Sequence, residues 1–208
     1  MAANSETKRR RGSAATKAAI LDAAKLAFTQ ESYEAVGLRT IAARAGVDAS
    51  LVNRYFGTKQ ALFAEVMDGS IDIGPYLNGD RATFGWRIAH GMVTTRVAPG
   101  SFRPLLVMIR SAPNAEAGGI LRAHLNDDLA VPLAAWLGGH NAQERAGLIL
   151  AQLAGFFFMR TVIGLDQLEQ ANEESLVSEL AAAVQLYVDG DTNGVRLGDS
   201  PATAAAQG

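Results

Sequence analysis

The sequence predicts an all-α chain in two parts: an N-terminal three-helix module and a larger helical body. Three observations predict it. Apolar residues recur at helical spacing along most of the 208 residues, with no alternating strand pattern. Gly and Pro cluster at intervals that cut the pattern into helix-sized pieces. And Ile41 to Phe63 reads as two short helices joined by a tight turn, with a further helix after Gly57.

The first residues, 1–12, are polar and basic and read as a disordered arm carrying Lys8, Arg9, Arg10 and Arg11. A helix is expected from about Ala14 to Gln30, because Ile20, Ala23, Ala24, Ala27 and Phe28 share one face. Ile41, Ala42 and Ala45 give the next helix a small apolar face. Gly46 supplies the left-handed residue that ends it, and Val47 returns to the core. Asp48 is an N-cap for a helix over Ala49 to Phe56, since its carboxylate accepts from orphan backbone N–H groups. That helix is too short to stand alone. Its polar face holds Ser50, Asn53, Arg54 and Tyr55. A helix, a Gly-containing turn and an exposed helix make a helix-turn-helix, whose second helix enters the DNA major groove. Thr58 caps the following helix, in which Leu62, Phe63 and Val66 face inward.

Gly69, Gly74-Pro75 and Asn78-Gly79 mark a boundary. The expected division is an arm at 1–12, a helix-turn-helix domain at 13–70, a helical body at 80–189 and a disordered tail at 190–208. Within the body, helices are expected near 81–98, 102–112, 115–138, 142–165 and 173–189. Pro104 suits a first turn, Pro113 and Gly138-Gly139 end helices, and Pro132 kinks or divides the third.

Net charge is −2, but its distribution is uneven. Residues 1–68 carry ten basic and seven acidic side chains, and the remainder nine and fourteen. A basic module on an acidic body is the electrostatic footprint of a nucleic-acid-binding head. Absence of Cys excludes disulfides and thiolate metal sites. The N-terminus has no apolar core of a secretory signal, so a cytoplasmic protein is expected. Catalysis has little support: His90, His124 and His140 are scattered, and no phosphate loop or nucleophile elbow is present. His124, Asp127 and Asp128 share a helix face, which reads as a solvated polar face, and neither a metal nor a cofactor is expected. Gly147 to Leu165 is nearly long enough to span a membrane. Arg160 inside it costs about 2.5–3.5 kcal/mol on insertion scales, so a core or interface helix is expected, with no membrane partner.

Residues Ile20 to Phe63 resemble the DNA-binding domain of the TetR family of bacterial transcriptional regulators. The resemblance rests on ILDAAKLAF (Ile20 to Phe28), Tyr33, the IAARAGV turn and the RYFGTKQALF close. Gly37 departs from it, standing where the family often has a Ser or Thr cap. Carried over by position, the resemblance implies base contacts from Ala49, Ser50, Leu51 and Asn53, and backbone contacts from Tyr55 and Lys59. Arg39 reaches a guanine or a phosphate. Asn53 stands where many relatives have Tyr, so base preference does not transfer there. Arg44 and Arg54 either pair with nearby acids or touch phosphate. Lys8 to Arg11 either enter a minor groove or neutralise phosphates.

The resemblance further implies a homodimer, a small effector and a double-stranded DNA operator, with repression as the expected role. The helices near 142–165 and 173–189 would pair with their copies, through Ala151, Ala154 and Gly155 and a stripe of Leu176, Leu180, Val184 and Tyr187. A subset of the aromatic and Met residues, namely Met92, Phe102, Met108, Trp136, Phe156 and Met159, would line an apolar ligand cavity, although core packing is the default for each. Arg110 and Arg160 are expected to be held by carboxylates such as Asp166 or Glu169, with a ligand anion as the other possibility. Two readings from other classes stand beside this one: an enzyme on a helical scaffold, and a ligandless architectural DNA-binding protein.

Overall fold

The computed structural model describes residues 2–190, with side chains from residue 12 onward, and every regular element among them is helical. Twelve α-helices follow in order: α1 Ala2–Gln30, α2 Leu38–Ala45, α3 Ala49–Phe56, α4 Lys59–Met67, α5 Gly74–Leu77, α6 Phe84–Thr94, α7 Pro104–Ser111, α8 Ala115–His124, α9 Val131–Leu137, α10 Ala142–Phe157, α11 Asp166–Glu169 and α12 Glu173–Asp189. Wider π turns run from Leu125 to Ala130 and from Phe158 to Ile163.

Most helices lie where the periodicity puts them. The differences have local causes. α1 extends back to Ala2, through the stretch read as an arm. Lys and Arg are good helix formers, and no proline interrupts the run. The tail read as disordered lies outside the described residues, apart from Gly190. The Gly74-Pro75 break contains the single turn α5, with Pro75 in its first turn. The long helix expected over 115–138 is divided at the π turn before Pro132. Proline lacks an N–H and its ring crowds the carbonyl four residues back, so the backbone widens ahead of it.

The described residues form two compact units. One holds the residues up to Asp72 together with Arg96–Leu129; the other holds Ile73–Thr95 and the residues from Ala130 on. Sequence reasoning puts a single boundary at 70–80, so α7 and α8 fall with the head rather than the body. The reason is packing. Val107, Met108, Ala117 and Leu121 belong to the same buried apolar cluster as Ile20, Phe28, Ile41, Val52, Leu62 and Phe63. At its centre the Phe63 ring meets Phe28 edge-on at 4.9 Å and Tyr33 at 5.0 Å. Each such ring contributes roughly 1.5–3 kcal/mol by burial. Polar contacts fasten the same helices. Arg110 donates to the Thr29 and Gln30 carbonyls at the C-terminal end of α1, at 2.6 and 2.7 Å. Asn114 donates to Glu34 at 2.8 Å while its oxygen caps α8.

In the second unit α6 packs along α12. Phe84, Ile88 and Val93 are buried on one side, and Val177, Leu180, Val184 and Val188 on the other. Gly85 sits at the crossing: a Cβ there would press on the Ala181 carbonyl oxygen, and its N–H donates to Gln185 Oε1 at 2.9 Å. Two arginines gather exposed helix ends. Arg145, 7% exposed, donates to the carbonyls of Gly138, His140, Tyr187 and Val188. Arg81 donates to those of Trp136, Leu137 and Val188, with its guanidinium 5.1 Å from the Trp136 ring centre. Both charges lie at helix C-termini, where unpaired carbonyls and the helix dipole favour a cation.

Candidate nucleic-acid interface

The turn between α2 and α3 is built as the residues demand. Gly46 adopts φ 67°, ψ 31°, and the Gly46 and Val47 N–H groups return to the Ala43 and Ala42 carbonyls. Asp48 is extended and its carboxylate accepts from the Ser50 N–H at 2.8 Å. That bond holds the Asp48 carboxyl below its ordinary range. Thr58 caps α4 by accepting from the Ala61 N–H at 3.1 Å. Gly37, before α2, makes no side-chain cap.

α3 turns Val52 and Phe56 into the core, at 0% and 7% exposure. Four residues apart, they fix the roll of the helix. Ser50, Asn53 and Arg54 are left exposed, with Ala49, Leu51 and Tyr55 half-buried at the margins. Arg39, in the first turn of α2, is exposed as well. Ser50, Asn53 and Arg54 offer the donors and acceptors that base edges and phosphates require.

The site residues divide on closer geometry. Tyr55 Oη lies 2.9 Å from Ser13 Oγ of α1, and the Arg54 guanidinium stands 5.3 Å from the Tyr55 ring centre. These neighbours hold the Tyr55 phenol below its ordinary value, the Ser13 bond most of all. Ser13 has no signal in the sequence that marks it as a partner. Arg44 is drawn to Glu31 at 2.8 Å and Gln30 at 2.9 Å, which favours the pairing role over phosphate. Lys17 pairs with Glu65 at 2.6 Å. Lys59 does not extend freely. Its ammonium lies 4.3 Å from the Tyr33 ring centre. The side chains of Lys8 to Arg11 lie outside the described residues.

The other expected sites fare differently. Phe102 and Met108 belong to the head unit, Phe102 against its core and Met108 within it. Met92, Trp136, Phe156 and Met159 belong to the second unit. Trp136 is committed to Phe84 and Arg81. Phe156 has the Arg160 guanidinium 5.8 Å from its ring centre, and Met159 is exposed. The six therefore do not gather within one unit. A groove of about 450 Å³ in the head has mixed walls, Leu26 and Leu106 beside Thr29, Gln30, Arg103 and Arg110, and contains none of the six. Of the expected dimer contacts, Ala151, Ala154 and Gly155 are exposed, whereas Leu176 and Tyr187 are half-buried. Leu180 and Val184, 5% and 0% exposed, are a correction: they pack inside their own subunit, because α6 occupies that face of α12. Arg110 is a correction: it is held by the Thr29 and Gln30 carbonyls. Arg160 does pair with a carboxylate, Glu173 at 3.8 Å, and donates to the Val93 carbonyl at 3.0 Å.

Among the described residues no group of three or more His, Cys, Asp or Glu is placed to hold a metal ion. His124 is buried and its Nδ1 meets Asp128 at 2.5 Å. Ala142–Ile163 is long and apolar enough to cross a membrane, with mean hydropathy 1.7, and only 17% of it is buried within the chain.

Comparison with known proteins agrees with this geometry. Residues 20–66 match the family described as bacterial regulatory proteins, tetR family, and residues 82–188 match the tetracyclin repressor-like C-terminal domain. No curated protein matches the chain. Among solved structures, a TetR-family regulator from Streptomyces coelicolor A3 is 29% identical, with 85% of this chain and 96% of that one covered, at a TM-score of 0.57. A transcriptional regulator from Rhodococcus sp. Rha1 is 23% identical, covering 86% and 96%, at 0.55. NalD, the secondary repressor of the MexAB-OprM multidrug efflux pump in Pseudomonas aeruginosa, is 18% identical, covering 81% and 96%, at 0.58. At the two lower identities the likeness is one of fold. With a capped helix-turn-helix at its head and both domain types matched in order, the chain belongs to the TetR family of DNA-binding transcriptional regulators.

Proposed function

We propose that this regulator is a cytoplasmic homodimeric repressor, released from a palindromic operator by a small, largely apolar effector. The observation that carries the DNA-reading part is the roll of α3. Val52 and Phe56 anchor it, so Ser50, Asn53 and Arg54 face outward together on a helix locked at both ends by Asp48 and Gly57. In this reading Asn53 and Ser50 read base edges, Ala49 and Leu51 touch thymine methyls, and Arg39, Arg54 and Tyr55 hold backbone or guanine. Lys8 to Arg11 add phosphate contacts.

Dimerisation is supported by what α10, the π turn after it and α12 leave uncovered. Leu148, Val162, Ile163 and Leu186 are large and exposed, and Ala151, Ala154 and Gly155 are small enough to admit a second helix closely. A second subunit covers such a surface and places two recognition helices on successive half-sites. The effector shifts the pair toward a head spacing that no longer fits the operator. The reading describes a regulator with no catalytic step.

Selection of bound DNA from a random pool tests the reading. Enrichment of an inverted repeat supports it. Enrichment of no sequence, with binding that depends on salt alone, supports an architectural protein instead. Apolar aromatic compounds that raise the melting temperature should also weaken operator binding. A stabilising compound that leaves operator affinity unchanged would separate the ligand site from the switch.

A further inference from the structure

Lys59 is the first residue of α4, directly after the Thr58 cap. A lysine there is placed to meet a DNA phosphate, because the helix N-terminus also favours an anion. Its ammonium is engaged elsewhere. It lies against the face of Tyr33, within the range of a cation–π contact. Burial lowers the ammonium's pKa, while the charges of Glu116 on α8 and Glu34 before α2 oppose that and favour the cation. Glu116 is itself positioned. It accepts from Tyr33 Oη at 2.6 Å and from Gln60 Nε2, the residue next to Lys59. Those bonds hold the Glu116 carboxyl below its ordinary value, so it is fully ionised at neutral pH. Asn114, two residues earlier at the α8 cap, holds Glu34. All of these residues lie in the head unit.

We propose that Glu116 is an internal competitor of the DNA backbone for Lys59, an autoinhibitory contact that weakens operator binding without touching a base. The inference rests on the DNA-binding reading above. Its logic is electrostatic. A phosphate gains Lys59 only when the ammonium leaves Tyr33, Glu116 and Glu34. After it leaves, the Glu116 charge stays fixed beside Tyr33 and Gln60 without the cation that had neutralised it. That cost opposes binding equally for every sequence, since phosphates carry no base identity. The carboxylate therefore sets the depth of the bound state and eases release. Glu116 is a positioning residue in this scheme and makes no contact with DNA.

The test uses the full chain and the operator duplex recovered by selection, titrated across salt concentrations. Glu116→Gln removes the charge but keeps an acceptor for Tyr33. It should tighten binding by about two- to fivefold, the range of one exposed charge pair. The slope of log K against log salt should steepen by up to about 0.9, as one phosphate contact is gained. The tightening should be the same on a mutated operator. In a Lys59→Met background the gain should vanish. Glu34→Gln, on the same ammonium, should act in the same direction and stands in if Glu116→Gln fails to fold. Unchanged affinity and slope in a protein that otherwise binds the operator overturns this inference and leaves the DNA-binding reading intact. A gain that persists in Lys59→Met overturns it as well. If the wild-type chain selects no operator, the broader reading has failed instead.

Discussion

Tyr55 and Asn53 sit two residues apart on α3 and do different work. Tyr55 is tied to Ser13 through its hydroxyl, whereas Asn53 is exposed. Ser13→Ala should free the Tyr55 ring and weaken binding to all sequences alike. About 0.5–1.5 kcal/mol is the scale of one such hydrogen bond, and fluorescence anisotropy on matched and mismatched duplexes measures it. Loss confined to one base position would contradict that role. Glu116 makes a prediction about acid. Its carboxyl is held below the ordinary 4.5 by the Tyr33 and Gln60 bonds. A lowered folded value means the stabilisation is fully present above the unfolded value and fades as pH falls through the folded one. Thermal melts of the wild type and Glu116→Gln should therefore converge as pH falls below the ordinary carboxylate range, the wild type losing more. Tyr33 runs the other way. Burial and the Glu116 carboxylate push its phenol well above the usual value, so it stays protonated while exposed tyrosines ionise. Asp48, Thr58 and Gly46 were legible as caps and turn because each acts within three residues of itself. Lys59 was not legible: its orientation is decided by Tyr33, Glu34 and Glu116, which only the folded head brings to it.

At the scale of elements, the crossing of α6 on α12 is the tightest join in the second unit. Gly85 allows it, since a methyl group would meet the Ala181 carbonyl and the Gln185 backbone. Gly85→Ala should destabilise the chain by about 1–3 kcal/mol, the usual cost of overpacking, read as a lower denaturant midpoint. An unchanged midpoint would show that the helices separate freely. The helix positions were legible in the sequence, because apolar spacing and Pro or Gly breaks are local signals. Leu180 and Val184 show where that stops. Periodicity marks them as an apolar stripe but does not say which neighbour covers it, and α6 reaches them before a second subunit does. The same holds for Met108, which lies in the head core, and for Phe102, which packs against it. The π turn before Pro132 was foreshadowed by the proline, but its wider form is set by the backbone's accommodation of that ring.

For the whole molecule, the account requires two heads held by a shared apolar surface. Leu148, Ile163 and Leu186 are 48%, 56% and 49% exposed, which a monomer in water would not favour as a group. Ile163→Glu combined with Leu186→Glu should give a monomer by sedimentation and weaken operator binding by about 10²-fold or more, because linked binding of two half-sites is lost. A dimer that survives both changes would move the interface elsewhere. The central claim is that Asn53 and its neighbours on α3 read bases while the rest of the head positions them. It is tested most directly by measuring the affinity of wild-type and Asn53→Ala protein for every single-base variant of the selected operator. The account predicts that Asn53→Ala relaxes preference at one base pair in each half-site, related by the operator's symmetry, at a cost of about 1–3 kcal/mol on the preferred base. A uniform weakening across all positions, with the base preferences intact, would contradict it.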